Sequence, residues 1–518
     1  MPRRTERGPA EARATRRTKS PDRPAGPVRV NLISLGCPKN LVDSENILGS
    51  VGSAGLAITP SADDADVIVI NTCSFIDSAK EESVQTILEA CEVKRASPHP
   101  KKVVVTGCLA QRYGEDLRKE MPDIDAVIGL GQYGGIGGLL ESLALRSEAA
   151  GGEGPVYRVA DPNTACNAEV GRLRLTPTHY AYLRISEGCD NPCTFCAIPS
   201  FRGRFRSKPI DAIEAEAREL ASSGARELIL ISQDTTSYGV DLDGHFLLPQ
   251  LLERLAGIEG IRWIRLLYVY PTAFSDEMID AVARIPQVVP YVDIPIQHIS
   301  DRMLRRMGRR MNECDTRRLL GRMRERIPGL YLRTTVIVGF PGEGEAEFEA
   351  LHGFVKEFRF ERLGVFTYSH EEDTPAYRMV DDVPPALKEE RRGRLMLAQQ
   401  AIAFAQNHRR VGEVCEVLVD ARERGKLVGR SRGEAPEIDP RIFLLGTAPG
   451  GGWAGGAGGG RVDAAGGGAS PALAGVREIA VLSGPAAPAR TAVGEFVRAR
   501  IVGAKGYDLI GRPEATAS

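Results

Sequence analysis

Within Cys189-Asp-Asn-Pro-Cys193-Thr-Phe-Cys196, three thiols stand at CxxxCxxC spacing on one short segment. Three thiolates on so tight a loop can hold three irons of a cubane 4Fe–4S cluster, whereas an ordinary electron-transfer cluster takes four cysteines. The fourth iron is then left open, and an open position is what a catalytic metal needs. A structural zinc site is the competing reading. Zinc motifs usually pair two CxxC units, and the sequence carries no second pair.

Three more cysteines, Cys37, Cys73 and Cys108, lie 36 and 35 residues apart, too far for a local motif. Their contexts agree: Ile33-Ser-Leu-Gly-Cys37, Val69-Ile-Asn-Thr-Cys73 and Val105-Thr-Gly-Cys108 each put the thiol just after an apolar, β-branched run. Such runs read as strands of a parallel sheet. Their C-terminal ends share one edge, where open α/β sheets place ligands, and neighbouring strands are only about 4.8 Å apart. The three thiols can converge on one metal group; buried structural thiols remain the alternative. Cys91, Cys166, Cys314 and Cys415 have no cysteine at ligand spacing and read as ordinary thiols.

The elements that must position these residues follow from periodicity. Residues 1–27, rich in Arg, Pro, Ala and Thr without an apolar stretch, read as a disordered tail rather than a secretory signal. Residues 28–150 read as a doubly wound α/β domain, with strands Val28–Leu35, Asp66–Asn71 and Val103–Thr106 and helices Leu41–Gly52 and Ser78–Val93. A Gly-rich linker, Gly151–Pro155, follows. Residues 175–410 carry six β–α repeats, expected as a TIM-like barrel, complete or open. Its strands are expected at Ala181–Ile185, Glu227–Ser232, Trp263–Val269, Tyr291–Pro295, Tyr331–Val338 and Arg362–Thr367, and a charged helix, Pro385–Arg410, leads out. Residues 411–514 read as a small OB-like β-barrel with strands Val414–Val419, Leu427–Ser431, Ala480–Leu482 and Phe496–Ile501, interrupted by a Gly/Ala-rich insertion over 448–475.

Ten cysteines in a chain of 518 residues without a secretion signal favour metal or redox chemistry over disulfides. The 67 Lys and Arg nearly match the 68 Asp and Glu, so net charge selects no partner. No run approaches the roughly 18 apolar residues of a membrane span.

Other polar segments fall where barrel strands should end. They are Ser232-Gln233-Asp-Thr-Thr-Ser-Tyr238, Pro295-Ile-Gln297-His298 and Val338-Gly339-Phe-Pro-Gly342-Glu343. Ordinary strand-to-helix turns explain them as readily as ligand contacts. His298 reads as a hydrogen-bonded structural residue before an acid or base. Arg202, Arg204 and Arg206 follow the cysteine loop and fit either an acidic substrate or a solvated basic face.

CxxxCxxC with Phe195 before its last cysteine resembles the radical-SAM superfamily. Leu35-Gly-Cys37-Pro-Lys-Asn-Leu-Val-Asp43-Ser-Glu45, Asn71-Thr-Cys73 and Thr106-Gly-Cys108 resemble the N-terminal domain of the methylthiotransferases, and the likeness spans about residues 28–447 and 477–512. The resemblance implies two 4Fe–4S clusters. One, on Cys189, Cys193 and Cys196, would bind and cleave S-adenosylmethionine; the other, on Cys37, Cys73 and Cys108, would carry the sulfur. S-adenosylmethionine would serve as methyl donor and radical source, with Phe195, Gln233, Gly339 and Gly342 in its vicinity and no catalytic residue beyond the cluster ligands. The C-terminal part resembles a TRAM domain.

Two branches of that family differ in substrate. Cys37-Pro-Lys-Asn-Leu-Val-Asp-Ser-Glu45, Tyr291-Val-Asp-Ile-Pro-Ile-Gln297-His298-Ile-Ser300 and Ser431-Arg-Gly-Glu-Ala-Pro-Glu437-Ile-Asp439 are similar to the branch that modifies the β-carbon of an aspartate of small-subunit ribosomal protein twelve. The alternative is an adenosine in tRNA. The C-terminal barrel adds a charge argument: residues 411–447 and 477–514 hold 12 Lys and Arg against 11 Asp and Glu, a net of +1. An RNA-gripping module should be clearly basic, and Glu434, Glu437 and Asp439 on one loop suggest a basic protein partner instead. The expected partners are the ribosomal protein, free or within the ribosome, and an electron donor, in the cytoplasm and away from membranes. A non-catalytic iron–sulfur RNA-binding adaptor would need only one cluster and no S-adenosylmethionine pocket.

Overall fold

Val67–Thr72 and Lys102–Gly107 are buried at every position, as strands covered on both faces must be. The computed structural model describes residues 26–146, 155–163, 171–446 and 491–514. Its first sheet holds β1 (Arg29–Ser34), β2 (Ala57–Ile58), β3 (Val67–Thr72), β4 (Lys102–Gly107), β5 (Ala126–Ile128) and β6 (Val156–Arg158). The strands are parallel throughout, in the order β2-β1-β3-β4-β5-β6. Alternate residues of β3 serve opposite cores. Val67 and Val69 share one with Ile47 and Val51 of the helix Pro38–Ser53, and Ile68 and Ile70 share the other with Ile87 and Ala90 of the helix Asp77–Ala96. This is the doubly wound domain. Its strand order reverses between β1 and β3, so the ligand crevice of such a sheet opens at their C-terminal ends.

The second sheet begins at β7 (Tyr180–Arg184), followed by a small antiparallel hairpin, β8 (Ser186–Glu187) with β9 (Arg206–Ser207). The sheet continues through β10 (Glu227–Ile231), β11 (Trp263–Leu266), β12 (Val288–Asp293), β13 (Tyr331–Val338) and β14 (Arg362–Thr367). All neighbours are parallel, in the order β14-β13-β12-β11-β10-β7. β7 and β14 do not pair, so the barrel is the open form. Its concave side gathers Tyr180, Tyr182, Ile229, Ile231, Trp263, Leu267, Val289 and Tyr291 into one cluster. Val42 of the first domain and Leu418 and Ala435 of the C-terminal part join that cluster.

Two strands differ from expectation. β11 stops at Leu266 instead of Val269, because Tyr268 takes a left-handed φ of 60° that breaks the extended run. β12 starts at Val288 and ends at Asp293, upstream of the expected Tyr291–Pro295. The short helices Ile198–Arg202, Val240–Asp243 and Asp301–Arg306 are too brief to leave a helical period. The exit helix runs Pro385–Arg409.

Five strands close the C-terminal barrel: β15 (Val414–Glu423), β16 (Lys426–Arg430), β17 (Ile442–Leu444), β18 (Phe496–Lys505) and β19 (Asp508–Pro513), in the order β15-β16-β17-β19-β18. β17 and β19 were not legible, one being three residues long and the other carrying Gly511 and Pro513. The first 25 residues of the tail, most of the Gly151–Pro155 linker, Cys166, the Gly/Ala insertion and the expected strand Ala480–Leu482 lie outside the described residues. Among the described residues, no helix is long and apolar enough to cross a membrane.

The acidic loop of the C-terminal barrel corrects the charge argument above. Glu437 accepts from the Tyr180 and Tyr182 hydroxyls at 3.1 and 3.2 Å, and Asp439 from Tyr291 at 2.7 Å. Glu434 takes the Arg410 guanidinium at 2.6 Å. Buried phenols need acceptors, and this loop supplies them, so Glu434 and Asp439 serve the chain's own barrel, while Glu437 binds the tyrosines and stays exposed.

The same junction holds a buried triad in which Glu227 of β10 accepts from Arg265 at 2.7 Å and from Arg430 of β16 at 2.8 Å. Removing the shared anion leaves the buried Arg265 without a counter-charge and Arg430 with Asp420 alone, at 2.8 Å. Glu227→Gln is therefore expected to destabilise the fold by about 3–5 kcal/mol, read as a lowered urea midpoint. Glu416→Gln, in an exposed pair with Arg262, should leave that midpoint unchanged.

Candidate functional site

The first cysteine set sits on the crevice edge of the doubly wound sheet. Cys37 caps the helix Pro38–Ser53, Cys73 follows β3, and Cys108 opens the helix Cys108–Glu120. Close approach of these ends depends on glycine. A Cβ at Gly36 would lie 2.9 Å from Cys73 Cβ and 3.1 Å from its Sγ, and one at Gly107 would lie 2.3 Å from Asn71 Oδ1. Both have positive φ, 91° and 93°, which glycine adopts freely. Asn40 Nδ2 donates to Leu35 O at 3.1 Å and Thr72 O at 2.9 Å. Asn71 Nδ2 donates to Asn40 O at 2.7 Å and Ser44 Oγ at 2.8 Å. Polar residues on the buried face of one helix thus pin the strand ends together.

Burial pushes the Cys73 thiol up and the Cys108 thiol up to about 12, and the nearby Cys37 adds repulsion to both. The second set lies between β8 and β9. Cys189 N donates to Gly203 O at 3.1 Å and Cys196 N to Cys193 O at 3.2 Å. Asn191 Nδ2 bridges Cys189 Sγ at 3.4 Å and Asp234 Oδ2 at 2.7 Å, and Arg309 points at Cys193 Sγ from 3.5 Å. Burial again raises Cys189 to about 11 and Cys196 to about 12, with Cys193 adding to each.

These donor sets fit iron–sulfur groups. Each is three thiols whose charges would repel without a cation to share. Among the described residues, no three His, Cys, Asp or Glu side chains are arranged to hold a single metal ion. Ligands of one ion crowd onto one centre, at about 2.3 Å for thiolate on zinc. Thiolates on a cubane each take a different iron and stand further apart.

The two sets face each other. Lys39, two residues after Cys37, reaches Ser232 O at 3.4 Å and lies 3.3 Å over the Tyr268 ring at the barrel mouth. Arg184 at the end of β7 donates to Asp43 at 2.6 Å. Arg202, beyond Cys196, reaches Cys108 Sγ at 3.3 Å, Asn40 Oδ1 at 2.6 Å and Asp43 Oδ2 at 3.0 Å. It is fully buried, which replaces both sequence readings of Arg202; Arg204 is exposed and Arg206 half-buried. Asn40, Asp43 and Ser44 were within the quoted motif, and their spacing on one face of an otherwise apolar-backed helix was the signal for this buried polar cluster. Nothing local marked Glu187, Asn191 or Asp234.

Phe195 packs against the cluster of Met303, Met307, Phe340 and Tyr368, beside the second cysteine set. Gly339 N donates to Glu343 Oε2 at 2.7 Å, the Lys388 stem lies against Gly339, and Arg306 lies against Gly342. Gln233 is half-buried between Ser232, bonded to Ser186 at 2.5 Å, and Asp234. Cys91 is buried, Cys415 half-buried and Cys314 exposed, each apart from the two sets.

The chain matches the uncharacterized protein family UPF0004 over residues 29–129, the radical SAM superfamily over 183–355 and the TRAM domain over 411–459. A radical-SAM barrel carrying CxxxCxxC, preceded by a doubly wound domain with its own cysteine edge and followed by a small β-barrel, defines a radical-SAM methylthiotransferase, an enzyme of iron–sulfur and S-adenosylmethionine chemistry. The ribosomal protein uS12 methylthiotransferase RimO of Trichlorobacter lovleyi is 46% identical over 80% of this chain and 92% of its own length. That of Pelotomaculum thermopropionicum is 47% identical over 80% and 93%, and that of Anaeromyxobacter sp. (strain K) 49% over 80% and 87%. The chain belongs to the ribosomal protein uS12 methylthiotransferase family.

His298 is structural, as its sequence context suggested. Its Nδ1 accepts from Ile299 N and Ser300 N, both at 2.9 Å, so the ring is the neutral Nε2–H tautomer. Burial pushes its pKa down to about 3 from the usual 6.5. Between those values the unfolded chain binds a proton that the folded one refuses, so stability is lost as pH falls through that window. The stability advantage of the wild type over His298→Gln should shrink by about 1.4 kcal/mol per pH unit below about pH 6. Parallel urea-unfolding profiles for the two proteins would mean that the imidazole titrates freely in the fold.

Proposed function

We propose that the chain adds a methylthio group to the β-carbon of an aspartate of ribosomal protein uS12, using two 4Fe–4S clusters. Cys189, Cys193 and Cys196 hold one, with S-adenosylmethionine beside Phe195, Gln233, Gly339 and Gly342. Cys37, Cys73 and Cys108 hold the other. The observation that carries this reading is the 3.3 Å contact of Arg202 with Cys108, which sets the two cysteine loops against one interior. The printed names of the relatives support uS12 as substrate. The TRAM match over residues 411–459 is compatible with RNA near that substrate. The substrate is met free or on the ribosome, and the setting is the cytoplasm, with a separate electron donor.

When bound, the clusters and S-adenosylmethionine supply the electron transfer, the radical and the sulfur, chemistry no side chain can perform. The chain positions and shields. Tyr180, Tyr182 and Tyr291, tied to Glu437 and Asp439, close the floor of the lumen, and Lys39 and Leu41 of the first domain pack over its upper end. Asn191, fixed by Asp234, orients the Cys189 sulfur.

Cys189→Ala is expected to abolish S-adenosylmethionine cleavage, whereas Cys73→Ala should cleave it and transfer nothing. Intact-mass measurement of uS12 after reaction with the anaerobically reconstituted enzyme, sulfide and reductant should record a gain of about 46 Da, a methylthio group replacing hydrogen. Normal transfer by the Cys73 variant would remove the second cluster from the mechanism. Modification of tRNA alone in a parallel reaction would move the substrate to the other branch.

A further inference from the structure

We propose that Arg202 is a positioning residue of the N-terminal cysteine set. It donates a hydrogen bond to the Cys108 thiolate and raises the reduction potential of the centre held by Cys37, Cys73 and Cys108. The inference rests on those three cysteines being ligands, and it assigns a role to a residue outside both cysteine motifs.

The guanidinium is fixed at both ends. Nη1 lies 3.2 and 3.1 Å from the two oxygens of Glu187, and Nη2 reaches Asp43 Oδ2, Asn40 Oδ1 and Cys108 Sγ. Glu187 and Asp43 are in turn held by Arg184 at 2.9 and 2.6 Å. Two arginines and two carboxylates therefore balance within this buried node, and the two N–H groups of Nη2 are shared among Asp43, Asn40 Oδ1 and the sulfur of Cys108, the longest of the three contacts. Arg202 side-chain exposure is 2%, matching Asp43 and Arg184, so the fork has one available orientation. A planar, rigid fork keeps that aim in a way a lysine cannot.

The direction of the effect follows from charge. An electron entering an iron–sulfur centre adds negative charge that spreads onto the ligand sulfurs. A cation and an N–H at one of those sulfurs stabilise the reduced form more than the oxidised one, as hydrogen bonds to cluster sulfurs do generally. Arg202 is also reached from the CxxxCxxC loop through the helix Ile198–Arg202. Its aim, and hence the potential of one centre, is thereby set by the loop that carries the other.

The test uses the full chain with Cys189, Cys193 and Cys196 all replaced by Ala, so that only the N-terminal set can hold a cluster. After anaerobic reconstitution the parent should bind about four irons per chain, and an EPR-monitored redox titration gives its midpoint potential. Arg202→Gln should move that potential to a more negative value, and Arg202→Lys should move it less in the same direction. Arg204→Gln, on an exposed neighbour, should not move it. A merely structural role would alter iron content without shifting the potential of the centres that do form. Either Arg202 variant loading fully at the parent potential would overturn the proposal. Should the Gln variant fail to fold, the Lys variant decides by the same criterion. A parent that binds no iron would instead reject the ligand assignment itself, and with it this role for Arg202.

Discussion

Everything in the interior depends on a buried exchange of charge among Arg184, Glu187, Arg202 and Asp43. Ions so enclosed lose their hydration, a cost that partner charges must offset in full. Here each carboxylate meets both arginines, within 2.6 to 3.2 Å. Asp43 belongs to the first domain and the other three to the radical-SAM barrel. The two domains are consequently joined by a contact that tolerates little displacement, since separating them strands charge in an apolar setting. The cysteine loops inherit that rigidity, Cys108 through Arg202 and Cys189 through the strand pair that Glu187 helps to form.

A second enclosure mirrors the first at the opposite end of the barrel. Six parallel strands that do not close leave a concave side packed with Tyr180, Tyr182, Trp263 and Tyr291, and its buried phenols need partners. The loop after β16 provides them, Glu437 and Asp439 accepting from Tyr180, Tyr182 and Tyr291 and Glu434 from Arg410 at the end of the exit helix. The C-terminal barrel is thus packed into the base of the radical-SAM barrel. Glu371, held by Lys80 at 2.9 Å and Arg112 at 3.0 Å, adds a further tie between barrel and first domain.

The cysteines, and the strands that deliver them, were legible because chemistry-bearing residue types at strand ends are rare and regular. Long helices were legible too: the expected Leu41–Gly52 and Ser78–Val93 lie within Pro38–Ser53 and Asp77–Ala96, and the exit helix runs Pro385–Arg409. What escaped was whatever depends on contacts distant in sequence. Arg202 looked like one of three surface arginines because nothing local announces that Asp43 and Cys108, 159 and 94 residues away, surround it. Glu437 looked like a partner-facing acid because its acceptors' donors, Tyr180 and Tyr182, lie more than 250 residues upstream. Tyr268, with its left-handed backbone, ended a strand whose composition argued for three more residues.

The base of the radical-SAM barrel bears on the order in which the chain acquires its fold. Synthesis delivers residues from the N-terminus, and domains generally form as they emerge. The barrel strands are complete by Thr367, yet the acceptors for their tyrosines and the second cation on Glu227 arrive only with residues 430–439. Until then a nascent barrel exposes phenols without partners and an anion with half its counter-charge. A ribosome making this protein therefore carries an unfinished radical-SAM barrel through the last stretch of translation, and the terminal β-barrel acts as the clasp that ends that vulnerable interval.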